Sequence, residues 1–131
     1  MIEFRLNPSS GVPTYAQLVQ QVEQALRLGL LEVGDQLPTV REAVASLAIN
    51  PNTVARAYRE LELAGLVEGR QGQGTFVVTT LAGPGLSEPA HLQHGLEQWI
   101  ESAFAAGLDG ASVHALIDAT LRPFESVEGA A

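Results

Sequence analysis

Thr39-Val40-Arg41-Glu42, Asn50-Pro51-Asn52-Thr53 with Arg56 beyond it, and Arg70-Gln71-Gly72 are the three places where polar side chains of one chemical kind gather. An arginine fork matches the two acceptors of guanine and an asparagine amide the acceptor–donor pair of adenine, each pairing worth roughly 1–3 kcal/mol of discrimination. Backbone amides at helix starts offer donors to phosphate oxygens, and a glycine lets the backbone itself approach closely. Bond-breaking chemistry has no comparable set. There is no Cys, so no thiolate nucleophile, and a zinc site would be limited to His and carboxylates. His91, His94 and Glu97 recur at i, i+3 and i+6, loosely like metal ligands, but read better as a polar surface stripe. Gly72 and Gly74 lack the following Lys and the strand–loop–helix setting of a phosphate-binding loop. Asp109 belongs to a helix start and Asp118 to an exposed face, and no nucleophile is paired with a base. An enzyme is therefore not expected, and neither is a metal or a cofactor.

The elements that must carry these residues follow from the periodicity. Residues 2–6 alternate apolar and polar as a short edge strand would. Tyr15, Leu18, Val22, Ala25 and Leu26 recur at helical spacing and predict a first helix over about 14–28, with Gly29 at its exit. Gly34 and Pro38 mark the next stretch as a loop. Thr39 and Glu42 form a capping-box pattern that opens a second helix, ending near Leu47. After the link Ala48-Ile49, Asn50 suits an N-cap and Pro51 the first helical position. The third helix runs to Gly65, burying Val54, Tyr58 and Leu61 and turning Asn52, Thr53, Arg56 and Arg59 outward. Leu66–Glu68 and Thr75–Val78 are strand-like around the glycine-rich tip 69–74, which predicts a hairpin. Helix, helix-turn-helix and hairpin, in that order, give a winged helix-turn-helix over residues 1–80.

Residues 81–131 read as a linker, 81–89, followed by two amphipathic helices over about 88–106 and 111–122. The fold class is α+β, mostly helical. Charge divides along the same line. Residues 1–80 hold six Arg against eight acids, a balance of −2, whereas residues 81–131 hold one Arg against seven acids, a balance of −6. A total of −8 with no Lys argues against loose, non-specific nucleic-acid binding. It leaves room for a short site served by a few well-placed arginines. At 46% hydrophobic the chain has enough apolar material to fold. The start MIEFRL has no long apolar run and no stretch approaches ~18 apolar residues, so neither a signal peptide nor a membrane span is expected, and the cytoplasm is the expected compartment.

In order and spacing, GDQLPTVRE, NPNTV, YRELELAGLV and GQGTFV resemble the DNA-binding domain of GntR-type bacterial transcription regulators, over residues 13–77. The NPNTV variant and the short two-helix tail are similar to the YtrA-type branch. That resemblance implies a dimer held by the C-terminal helices, no separate ligand-binding domain, and frequent control of a transporter operon. Carried onto this chain, it implies DNA contact by Arg41 early in the second helix, by Asn50, Asn52, Thr53 and Arg56 at the start of the recognition helix, and by Gln71 and Gly72 at the wing tip. Thr39 and Arg70, beside them in the chain, join the candidate DNA-binding set. Pro51 and Ala55 depart from the family pattern, standing where many relatives are basic.

Two amphipathic helices in about fifty residues are unlike a small-molecule pocket. Leu92, Leu96, Trp99, Ile100, Phe104, Leu116, Ile117 and Leu121 need a partner surface, and a second copy related by a two-fold axis is the expected one, with Trp99 as its anchor. Packing of the same faces back onto the winged domain is the competing arrangement, against which Gly83, Pro84 and Gly85 would let the tail swing clear. The expected function is a dimeric, sequence-specific regulator, a repressor of its own operon that reads an inverted repeat in double-stranded DNA. An unidentified small-molecule effector could bind at the dimer interface or between the domains, though no pocket motif marks either place. The alternative is a winged-helix protein–protein interaction module that has lost DNA binding, for which the acidic total, Pro51 and Ala55 speak.

Overall fold

The computed structural model describes residues 2–83 and 89–129. Its elements run α1 (Thr14–Arg27), α2 (Val40–Leu47), α3 (Pro51–Leu63), β1 (Val67–Arg70), β2 (Gly74–Val77), α4 (Pro89–Ala105) and α5 (Gly110–Gly129). Contacts divide the chain into two units, Met1–Ser87 and Glu88–Ala131. In the linker, Pro84 and Gly85 lie outside the described residues.

The first unit closes around one core. Leu18, Val22 and Leu26 of α1 meet Val54 and Leu61 of α3, with Leu37 and Val77 completing a set of fully buried side chains. Tyr58 and Ala57 join them on the α3 stripe. The caps form as the sequence spells them: Thr39 and Glu42 make a reciprocal capping box on α2, and Asn50 caps α3 with Pro51 in its first turn.

Residues 2–6 form no strand. The alternation holds, since Phe4 is buried, Ile2 and Leu6 are half-buried, and Glu3 and Arg5 are exposed. What replaces a neighbouring strand is a pair of glutamines on α1. Gln21 accepts from the Arg5 amide at 2.9 Å and donates to the Arg5 carbonyl at 2.6 Å. Gln17, itself buried, accepts from the Asn7 amide and donates to the Asn7 and Val12 carbonyls. Buried polar groups stay paired because leaving one unsatisfied costs on the order of 1–3 kcal/mol.

The hairpin is antiparallel, with Val67 opposite Val77 and Arg70 opposite Gly74. Its strands reach further into the tip than alternation alone predicts, leaving Gln71-Gly72-Gln73 as the turn. The predicted loop before α2 also lends backbone to this sheet. Val77 donates to the Asp35 carbonyl at 2.8 Å, Gly34 donates to the Val77 carbonyl at 2.9 Å, and Leu37 donates to the Thr75 carbonyl at 2.9 Å.

In the second unit α4 and α5 pack on each other around Ala103 and Val113. Asp109 accepts from the Ser112 amide at 2.8 Å and so opens α5, and the Ser112 side chain together with that amide holds its carboxyl below the usual range. Helix α5 extends past residue 122 to Gly129 with Pro123 inside it. A proline forfeits one backbone hydrogen bond and crowds the preceding turn, which is why periodicity alone stops the helix there. No helix among the described residues is long and apolar enough to cross a membrane.

Candidate nucleic-acid interface

The three polar runs occupy the start of α2, the start of α3 and the hairpin. At α2, the Thr39 hydroxyl oxygen accepts from the Glu42 amide at 3.1 Å while the Glu42 carboxylate accepts from the Thr39 amide at 3.1 Å. The Thr39 oxygen is therefore committed to the cap, and its hydroxyl proton remains to donate. Arg41 projects from this first turn, exposed, with no ion pair among the described residues.

At α3, Asn50 Oδ1 accepts from the Asn52 amide at 2.8 Å. With the cap intact, Asn50 keeps only its NH₂ for an outside partner, whereas Asn52 is exposed on the first turn. Thr53 is half-buried on the same turn. Arg56 lies sideways rather than straight out: its guanidinium carbon sits 3.7 Å from the centre of the Tyr15 ring, and its Nε is 3.8 Å from Glu60 Oε1.

Tyr58 ties the middle of α3 to the segment that leads into α2. Its hydroxyl donates to the Pro38 carbonyl at 2.6 Å, one residue before the α2 cap. Burial, reinforced by the Glu42 carboxylate, pushes the phenol above its ordinary range and keeps it a donor. The buried stripe of α3 predicts the ring, but nothing in the sequence marks the partner of its hydroxyl.

On the wing, Arg70 belongs to β1 rather than to the tip. Its guanidinium lies 4.5 Å from the centre of the Phe76 ring, with Nε 3.9 Å from Glu68 Oε1. Gln71, Gly72 and Gln73 form the exposed turn. Gly72 and Gly74 have φ of +74° and +126°, a region L side chains rarely adopt. A Cβ on Gly74 would also meet Gln36 Nε2 at 2.5 Å. Gln36 in turn donates to the Gln73 carbonyl at 3.1 Å and braces the turn from the loop before α2. It is a positioning residue invisible to local patterning, because its partner lies 37 residues away.

A concavity of about 500 Å³ runs between the start of α2 and the wing, lined by Thr39 and Val40 on one side and residues 69–75 on the other. It brings together Thr39, Arg70, Gln71 and Gly72. Arg41, Asn50, Asn52, Thr53 and Arg56 lie outside it, on α2 and the first turns of α3. A surface with backbone amides, amide side chains and guanidinium groups, and no nucleophile paired with a base, suits recognition rather than catalysis.

The second unit presents a different feature. Leu96 and Trp99 of α4 face Leu116, Ile117, Thr120, Leu121 and Phe124 of α5 across an apolar groove of about 480 Å³. Ile100 is half-buried, while Leu92 and Phe104 stay exposed outside the groove lining. Phe124 goes unread in the sequence because it follows Pro123, where the periodic helix stops. His91, His94 and Glu97 are exposed on α4, and no cluster of metal-binding side chains forms among the described residues.

Residues 14–77 match the family of bacterial regulatory proteins named gntR. Beyond that stretch, the chain is 35% identical over 114 residues to the HTH-type transcriptional repressor YtrA of Bacillus subtilis strain 168, covering 84% of this chain and 85% of that protein. The chain belongs to the GntR family. It is thus a transcriptional regulator with a DNA-binding fold, and not an enzyme. Among solved structures, this GntR protein is similar to a transcriptional antiterminator from Listeria monocytogenes EGD-e. That likeness has a TM-score of 0.56 and 31% identity and covers 91% of this chain and 90% of the other. It is also similar to the DNA-binding domain of AraR in complex with operator ORX1, at a TM-score of 0.50 and 28% identity, over 56% of this chain and 92% of that domain. The first likeness spans both units of the GntR chain and the second only part of it.

Proposed function

We propose that this GntR protein acts as a dimeric, sequence-specific repressor of its own operon, one of the kind that encodes a transporter. Residues 1–80 serve as the DNA-binding domain and residues 81–131 as linker and dimerisation region. Helix α3 enters the major groove through Asn52, Thr53 and Arg56, with the Asn50 amide beside them. The start of α2 supplies Thr39 and Arg41, and the wing carries Arg70, Gln71 and Gly72 to the minor groove. Two copies would present two recognition helices to successive major grooves ~34–36 Å apart on an inverted repeat. Repression follows from occupying DNA that polymerase needs, in the cytoplasm. The name of the Bacillus relative supports repression, and the operator complex of AraR supports DNA as the partner.

The observation that carries this reading is the shared surface of α2 and wing, whose concavity joins the Thr39 cap to the exposed turn at Gln71 and Gly72. The experiment is fluorescence anisotropy of the full chain on its own upstream DNA across a salt series, with Arg41→Ala beside it. Sequence-preferring binding with a steep salt slope, about −0.9 per neutralised phosphate, is the expected result. Arg41→Ala should weaken binding about tenfold, in keeping with the ~1–3 kcal/mol of one guanidinium contact. Equal affinity for scrambled DNA would overturn the reading in favour of a protein-interaction module.

A further inference from the structure

Basic side chains are scarce on α3. Pro51 and Ala55 supply none, so Arg56 is the one cation in its first two turns. That cation is not a free side chain. Its guanidinium lies over the Tyr15 ring of α1 at 3.7 Å, with Glu60 one turn further along α3 at 3.8 Å from Nε. Tyr15 is half-buried and packed against the core that α1 and α3 share, so the ring is a fixed platform. The Arg56 side chain nevertheless remains 55% exposed. A stacked guanidinium keeps its charge and its in-plane N–H groups while losing rotamer freedom.

We infer that Tyr15 is a positioning residue of the DNA interface, holding Arg56 flat so that its N–H fork meets DNA in one orientation. The ring does this from α1, outside the helix-turn-helix itself. A side chain ordered before binding gives up less freedom when it binds, and affinity gains by that difference. Glu60 acts in the opposite sense on charge, partly neutralising the cation while helping to fix it. This inference rests on the DNA-binding reading above.

The test is a double-mutant cycle on the full chain, using labelled duplexes that the wild type enriches from a random-sequence library. Arg56→Ala should weaken binding about tenfold, the loss of one specific guanidinium contact. Tyr15→Leu keeps an apolar body but no ring face, and should weaken binding about three- to fivefold, the size of an exposed cation–π contact. Tyr15→Phe keeps the ring and should stay within about twofold of wild type on the same grounds. In the Arg56→Ala background Tyr15→Leu should have no further effect, which a purely structural role for Tyr15 would not produce. An equal cost in both backgrounds, or unchanged binding by Arg56→Ala, overturns the inference and leaves DNA binding standing. Failure of the wild type to enrich any duplex overturns the DNA-binding reading and the inference with it. The stack itself is tested without substitution by the Arg56 Nε–H resonance of the free protein, expected upfield of those of Arg41 and Arg59 through the ring current. A resonance coincident with theirs overturns the inference even if Tyr15→Leu does not fold.

Discussion

In the winged unit Leu18, Leu26, Leu37, Leu61, Val22, Val54 and Val77 are all fully buried, whereas in the helical pair Ala103 and Val113 are the buried apolar residues among those described. The larger side chains of the pair stay in the open: Trp99 is 38% exposed, Leu116 43% and Phe124 70%. Both units are built from amphipathic helices of ordinary length, so the difference lies in closure. Three helices and a hairpin surround a volume, and two helices leave one side unfilled. The winged unit therefore holds its own stability, while the pair has a face whose free energy is realised only against another surface. Contiguous exposed apolar patches of this kind mark interaction sites.

Leu61 and Leu116 probe that contrast most directly. Leu61→Ala removes a fully buried side chain and should cost about 3 kcal/mol, since the surrounding core relaxes only in part. Leu116→Ala, made on the groove of the pair, should cost less than about 1 kcal/mol in dilute solution, where surface changes have little effect. Urea unfolding at low protein concentration checks both. Equal losses would mean that the pair is closed after all.

Trp99→Ala tests what covers the open face. If a second copy does, truncating an aromatic anchor should raise the dimer dissociation constant at least about 30-fold, the equivalent of roughly 2 kcal/mol. Sedimentation velocity over a concentration series reads this, and the melting temperature of the wild type should rise with concentration while that of the variant does not. A wild-type chain that remains monomeric throughout would defeat the dimer and separate the pair's function from self-association.

How much was legible in the sequence follows the same division. Patterns that are local in the chain came through: the Thr39–Glu42 box, the Asn50-Pro51 start, and the buried stripe of Val54, Tyr58 and Leu61 all stand where their spacing puts them. Partners distant in sequence did not. Gln21 and Gln17 take the place of the strand expected beside residues 2–6, and Gln36 braces a turn 37 residues away. Arg70 shifts from tip to strand because pairing with Gly74 extends the ladder past the point where apolar alternation ends. Helix α5 outruns its expected end, continuing through Pro123 to Gly129, because a proline weakens a helix by one bond and need not end it. At the proposed interface, residue types pointed to three segments, which the fold places at the starts of α2 and α3 and on the hairpin. The commitments of individual atoms, such as Asn50 Oδ1 to its cap, needed coordinates.

Tyr58→Phe asks how far closure of the winged unit depends on one polar contact. Removing the hydroxyl deletes the 2.6 Å bond to the Pro38 carbonyl and leaves that acceptor short of a partner, a loss of about 1 kcal/mol. The pH dependence has a definite sign. The unfolded phenol ionises near about 10, and burial raises the folded value above that. The contribution is fully present below the unfolded value and is lost as pH rises through it toward the folded one. Wild-type stability should therefore fall more steeply above about pH 10 than that of Tyr58→Phe, because the phenylalanine has no proton to lose. Urea midpoints on either side of that pH check it, and parallel alkaline limbs would show that Tyr58 carries no such linkage.

The smallest expected effect lies at the joint between the two helices that carry the proposed interface. Ala48 follows α2 in the left-handed region, at φ 55° and ψ 44°, while its amide still donates to the Val44 carbonyl at 2.8 Å. An L side chain there costs roughly 1–2 kcal/mol, and a glycine would give back part of the gain through the extra freedom of its unfolded chain, about 0.4–1 kcal/mol. Ala48→Gly should thus stabilise the winged unit by about 0.5 kcal/mol, visible as a higher urea midpoint with an unchanged slope. Since Ala48 is exposed and the backbone bond is retained, the angle between α2 and α3 should not move, and DNA affinity should stay within about twofold, as expected for a change outside the contact surface. A stabilised variant that lost affinity would instead mean that Ala48 sets the angle at which α3 is presented, and that the closed unit tolerates strain there to hold its recognition helix.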